Sequence, residues 1–115
     1  MVDYSTELVK ALKNILPTYH ELKLTKDLST PCISYQEANN YADTEGDTIG
    51  YSKLSYQIKI WATDISVIQK YLVQLDSVMR KLGFKRTSTG ELSDRNSAMI
   101  QKITIYEALA YEEFL

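Results

Sequence analysis

The chain has 115 residues, 44% apolar and 24% charged, and its 13 basic and 15 acidic side chains give a net charge of −2. That is enough for one domain, with enough apolar surface to offset chain ordering, which excludes a disordered tail or a low-complexity linker. No apolar run approaches the roughly eighteen residues that cross a bilayer, and the charge balance argues against nonspecific nucleic-acid binding.

Residues 1–16 carry Asp3, Glu7, Lys10 and Lys13 without an uninterrupted apolar stretch, so no secretory signal is expected there. Cys32 is the single cysteine, which precludes an internal disulfide and suggests a reducing compartment. His20, the single histidine, leaves little for a metal site. The expectation at this level is a small soluble cytosolic domain spanning residues 1–115.

The first periodic segment covers residues 5–16. Leu8, Val9, Leu12, Ile15 and Leu16 fall on one helical face, with Lys10, Lys13 and Asn14 on the other. Asp3 or Ser5 can cap its start, and Pro17 stops it. Residues 19–24 alternate weakly, with His20, Leu22 and Leu24 on one side, and read as a short strand. Pro31 introduces a second strand over residues 32–41, in which Ile33 and Tyr35 are expected to face inward. Residues 39–50 are polar and acidic and read as a long hairpin tip.

The clearest strand is 51–63. Leu54, Tyr56, Ile58, Ile60 and Ala62 alternate with Ser55, Gln57, Lys59 and Trp61, which predicts one buried and one wet face. Trp61 is the exception on the wet side. Asp64 then caps a helix over 65–82 with the stripe Ile65, Ile68, Leu72, Leu75, Val78 or Met79, and Leu82. Asp76 and Arg80 stand at the i, i+4 spacing of an ion pair, and Gly83 supplies a left-handed stop. Residues 84–89 begin another strand, 88–97 read as a polar loop around Gly90, and 98–108 form a last strand. The order α-β-β-β-α-β-β predicts an α+β two-layer sandwich: a mainly antiparallel sheet of four to five strands with two helices on one face.

Catalytic constellations are poor. Cys32 and His20 could make a nucleophile and base, but a lone cysteine beside Ile33 in a strand is more often a small core residue. Asp43, Glu45 and Asp47 alternate in a glycine-containing segment. An EF-hand register is missing, because the twelfth position from Asp43 is Leu54. Arg80, Lys81, Lys85 and Arg86 form a basic cluster at a helix end, where such charges already complement the helix dipole. The glycines are scattered singly, without a phosphate-binding loop. No catalytic, cofactor-binding or metal site is therefore expected.

Nine tyrosines and one tryptophan are many for this length. Tyr4, Tyr41, Tyr51, Trp61, Tyr71 and Tyr111 do not fit the predicted core faces. Packing at the sheet rim is one explanation, since these rings keep a polar handle. A protein interface is the other. On that reading the candidate contact residues are Tyr41, Asp43, Glu45, Asp47, Tyr51, Trp61, Tyr111 and Phe114. The last two belong to the tail Tyr111-Glu112-Glu113-Phe114-Leu115, which docks on the domain or on a neighbour.

The run Gln57-Ile-Lys-Ile-Trp-Ala-Thr-Asp64, followed by a helix and Leu82-Gly83-Phe84, resembles the tail-terminator (tail-completion, head–tail joining) family of tailed phages and prophages, lambda type included. The Pro-led strand Pro31-Cys-Ile-Ser-Tyr35, the hairpin after it and the closing pair of strands extend the resemblance to nearly the whole chain. It implies a non-enzymatic structural virion protein that self-associates into a ring, commonly a hexamer, at the head-proximal end of the tail tube. The implied partners are the major tail tube protein and the head–tail connector, with no membrane, no cofactor, and DNA only as cargo passing through the channel. The implied location is the neck end of the virion tail, and the host cytoplasm during assembly. An acidic tip repeated around a ring would repel DNA phosphates if it faced the channel. The alternatives are another neck component (stopper or adaptor) and a small binding or immunity-type module acting as a monomer or dimer.

Overall fold

The computed structural model describes residues 5–21, 30–45, 49–94 and 99–113. The elements are α1 (Ser5–Lys13), β1 (Thr18–His20), β2 (Cys32–Glu45), β3 (Ile49–Ala62), α2 (Ile65–Lys81), β4 (Lys85–Asp94) and β5 (Met99–Glu113). The five strands form one sheet in the order β1-β2-β3-β5-β4. β1 runs parallel to β2, and the other neighbouring pairs are antiparallel. The α+β class and the order α-β-β-β-α-β-β are those expected from the sequence.

The alternation of β3 positions the core. Leu54, Tyr56, Ile58, Ile60 and Ala62 are all buried, and the register sets Ile33 opposite Ile60 and Tyr106 opposite Tyr56. Leu8 and Leu12 of α1 and Ile68, Leu75 and Met79 of α2 pack into the same cluster, so both helices cover one face. Each such aliphatic side chain contributes about 1.5–3 kcal/mol relative to exposure. Apolar burial therefore welds the helical layer to the sheet.

The helix ends follow from local chemistry. α1 stops at Lys13, short of the expected Leu16, and a turn follows in which the Ile15 and Leu16 amides both donate to the Leu12 carbonyl, at 2.9 and 3.2 Å. Pro17 disfavours helical geometry at Leu16, yet Leu16 stays buried. At α2 the Asp64 carboxylate accepts from the Ser66 amide at 2.9 Å. Gly83 takes φ +91°, with its amide donating to Arg80 and the Phe84 amide to Met79. That is the Schellman pattern, and it drives Phe84 into the core.

Four segments differ from expectation. Residues 39–45 and 49–50 are strand, so β2 and β3 run on through most of the expected hairpin tip. β4 continues to Asp94, with Gly90 opposite Ile103 inside the expected loop. Tyr111, Glu112 and Glu113 belong to β5, opposite Tyr51, Gly50 and Ile49, where a tail was expected. β1 ends at His20, with Glu21 in a tight turn; residues 22–24 of that expected strand lie outside the described residues. Polar stretches offer no apolar alternation to read, whereas the backbone ladder needs none.

As a result β2, β3 and β5 outrun their neighbours. β4 begins opposite Glu107, and β1 pairs only with Ile33–Tyr35 of β2. The rows from Lys53 outward to Ile49 thus form a three-stranded arm about 17 Å long at roughly 3.3 Å per residue. The molecule measures 54 × 25 × 23 Å.

Candidate interaction surfaces

The sheet separates the two residues that could have made a reactive pair. Ile33 and Tyr35 face the helices, which puts the alternate residues Cys32 and Ser34 on the other face. His20 lies in register with Tyr35, their rings edge to face with centroids 5.2 Å apart. Cys32 is fully buried, and burial pushes its thiol up to about 11, far from a thiolate at neutral pH. The Cys32–His20 pairing is not assembled. Among the described residues no group of three or more His, Cys, Asp or Glu could hold a metal ion, and no helix is long and apolar enough to cross a membrane.

The buried thiol has a consequence for stability. Its folded-state value exceeds the ordinary 9.0, so the folded chain holds a proton that the unfolded chain releases. Stability is intact below pH 9 and falls as pH rises toward 11, by about 2 kcal/mol at pH 11. Urea unfolding at pH 8 and pH 11 should show this fall, and Cys32→Ala should reduce it by that amount. An unchanged pH dependence in the variant would contradict the burial.

The surface opposite the helices is built row by row. Cys32–Trp61–Gln101 and Ser34–Lys59–Ile103 are rows of this face, and so is Gln36–Gln57–Ile105. A bulge between Glu37 and Asn39 shifts β2 by one residue and preserves the pattern farther out. The backbone register continues outward through Tyr41–Lys53–Leu109, Asp43–Tyr51–Tyr111 and Glu45–Ile49–Glu113 in the arm. The alternate rows, Ala42–Ser52–Ala110 and Thr44–Gly50–Glu112, carry mostly small residues. Tyr41, Asp43, Glu45, Tyr51 and Tyr111, expected as contact residues from composition alone, thus fall in three rows of one ribbon. Asp47 and Phe114 lie outside the described residues.

Trp61 sits at the opposite end of β3 from the arm, and its polar handle is used internally. Its indole N–H donates to Ser34 Oγ at 2.9 Å, and the Lys59 ammonium lies 5.8 Å from its ring centroid. Lys59 Nζ also reaches Glu21 Oε1 at 2.7 Å. Tyr71 packs against the core, with Lys70 Nζ 5.5 Å from its ring centroid. Rim packing accounts for Tyr71.

The basic cluster takes a form that sequence spacing did not show. Asp76 was expected to pair with Arg80; its carboxylate instead lies 3.2 Å from Arg86 Nη1 and accepts from the Tyr106 hydroxyl at 2.5 Å. Burial, and then the adjoining Asp76 carboxylate, raise Tyr106 well above the ordinary tyrosine value. Asp76, Arg80, Phe84, Lys85, Arg86 and Tyr106 line a cavity of about 280 Å³. Arg86 and Tyr106 come from β4 and β5, so only the strand register could have joined them to α2.

A larger groove, of about 500 Å³, runs along α1 and is lined by Thr6, Val9, Lys10, Lys13 and Tyr35. Among the described residues its charged lining is Lys10 and Lys13. No protein-family model matches the chain, and no curated protein sequence matches it. The surfaces themselves carry the functional reading.

Proposed function

We propose that this protein is a structural subunit that self-associates into a ring and caps a phage tail tube at its head-proximal end. In that position it ends tube polymerisation and offers the surface to which the head connector joins. The observation that carries the reading is the three-stranded arm on a small two-layer domain, which gives one subunit two unlike surfaces. A ring requires such unlike patches, because each copy must meet its neighbour head to tail. The arm's outer backbone edges, on β2 and β5, are paired with no other strand among the described residues, so they can extend pairing to a neighbour.

The resemblance noted in the sequence supports the tail-tube assignment and the hexameric count. Function on this reading comes from shape and from surface chemistry, with no reacting atoms. The test is electron microscopy of lysates from a host element in which the gene has been deleted. Abnormally long tails, or finished tails that fail to join heads, are expected. Normal virions at normal titre would overturn the reading.

A further inference from the structure

Asp76 commits both carboxylate oxygens inside the fold: Oδ1 accepts from the Tyr106 hydroxyl, and Oδ2 lies 3.2 Å from Arg86 Nη1. Arg80, one helical turn on, is thereby left without the carboxylate that its spacing would give it. Among the described residues the Arg80 side chain has no ion-pair or hydrogen-bond partner, although it lines the same cavity as Arg86. Nor is Arg80 needed to close the helix. The Gly83 cap already satisfies the last carbonyls of α2: the Leu82 amide donates to Val78 at 3.1 Å, Gly83 to Arg80 at 3.0 Å and Phe84 to Met79 at 2.8 Å. Two guanidinium groups, one from α2 and one from β4, therefore meet at a cavity where the single carboxylate among the described lining residues is already engaged.

We propose that this cavity is an oxyanion site whose ligand is a phosphate group, free or as the end of a small phosphomonoester. Guanidinium forks match the paired oxygens of phosphate and carboxylate and keep their charge at any working pH. The Asp76 contact is the ion pair that Arg86 makes among the described residues, and a guanidinium has five donors, so Arg86 retains donors for a ligand.

Charge favours phosphate over a monocarboxylate, because among the described residues Arg80, Lys85 and Arg86 line the cavity against Asp76 alone. Glu107 stands opposite Lys85 in the β4–β5 register, so the two arginines carry the main weight. Volume limits the rest of the ligand. The cavity, at about 280 Å³, lies below the roughly 300–1,000 Å³ of pockets for drug-sized ligands, so a phosphate with a few attached carbons fits and a dinucleotide does not. Phosphate binding is independent of the capping role, and neither stands or falls with the other.

NMR titration of the full chain with sodium phosphate at constant ionic strength tests it, following the arginine side-chain Nε–Hε signals at about pH 7.5, where phosphate is mostly dianionic. Saturable shifts at Arg80 and Arg86 are expected at millimolar phosphate, the strength of a few charge-assisted contacts in a cavity open to water. Arg80→Gln and Arg86→Gln should each weaken binding at least about fivefold, and sodium acetate should bind the intact chain more weakly by a similar factor. Lys10→Gln, on α1, should leave phosphate affinity unchanged. Both arginines are exposed, so their replacement should leave the fold intact, which the backbone amide spectrum checks. Glycerol phosphate binding at least as tightly as inorganic phosphate assigns the site to an ester, and weaker binding assigns it to the free ion. No saturation by about 50 mM phosphate, equal affinity for acetate, or an affinity unchanged in both arginine variants overturns the site.

Discussion

Tyr56→Ala should lower the stability of the domain by about 3–5 kcal/mol, the largest effect of a single truncation in this core. The ring is fully buried on the helix-facing side of β3 and meets Phe84 edge to face, with centroids 5.7 Å apart. It sits beside the stop of α2, where the left-handed Gly83 delivers Phe84 to the core. Removing it opens a cavity between the strand and the helix end, and neither can collapse without breaking ladder or cap hydrogen bonds. Tyr56→Phe separates packing from polarity. The hydroxyl donates to Glu37 Oε2 at 3.2 Å in a partly buried setting, so its loss should cost only about 1 kcal/mol. Urea denaturation of the two variants checks both values, and an alanine variant within about 1 kcal/mol of wild type would contradict an enclosed ring.

Asp76→Ala should be the next most damaging change, at about 2–3 kcal/mol. The Tyr106 side chain is 1% exposed, and its hydroxyl is satisfied by Asp76, so truncation leaves a buried donor without that acceptor. The Arg86 pair adds less, because both side chains keep substantial contact with water. A double-mutant cycle isolates the hydrogen bond: in a Tyr106→Phe background, Asp76→Ala should cost at least about 1 kcal/mol less than in wild type. Equal costs in both backgrounds would show that the contact contributes nothing.

These two sites also mark what the sequence could and could not reveal. The β3 face was legible because Leu54, Tyr56, Ile58, Ile60 and Ala62 repeat with a period of two, and each is buried. α2 was legible because Asp64, the apolar stripe and Gly83 agree on its limits. The Asp76 cluster was not, since its partners are 10 and 30 residues away and meet it only through the order β3-β5-β4. The spacing of Asp76 and Arg80 pointed to a local pair that a tertiary contact replaced.

The arm was half visible. Its tyrosines and carboxylates stood out by composition, but residues 39–50 and 88–97 show no apolar alternation and read as loops. Backbone pairing made strand of the described parts, 39–45, 49–50 and 88–94, and the register then brought Tyr41, Asp43, Glu45, Tyr51 and Tyr111 into alternate rows of one ribbon. Ile103 and Ile105 share a strand with the inward-facing Thr104 and Tyr106, so β5 carries apolar residues on both parities. No single-strand pattern could say which of them faced the helices.

On the function proposed above, the molecule would occupy one fixed place on the virion. A functional copy carrying a small affinity tag, located by gold labelling on purified virions in the electron microscope, tests this most directly. The account predicts label confined to the junction between head and tail. Label distributed along the tube or at its far tip, or virions that carry none, would contradict it.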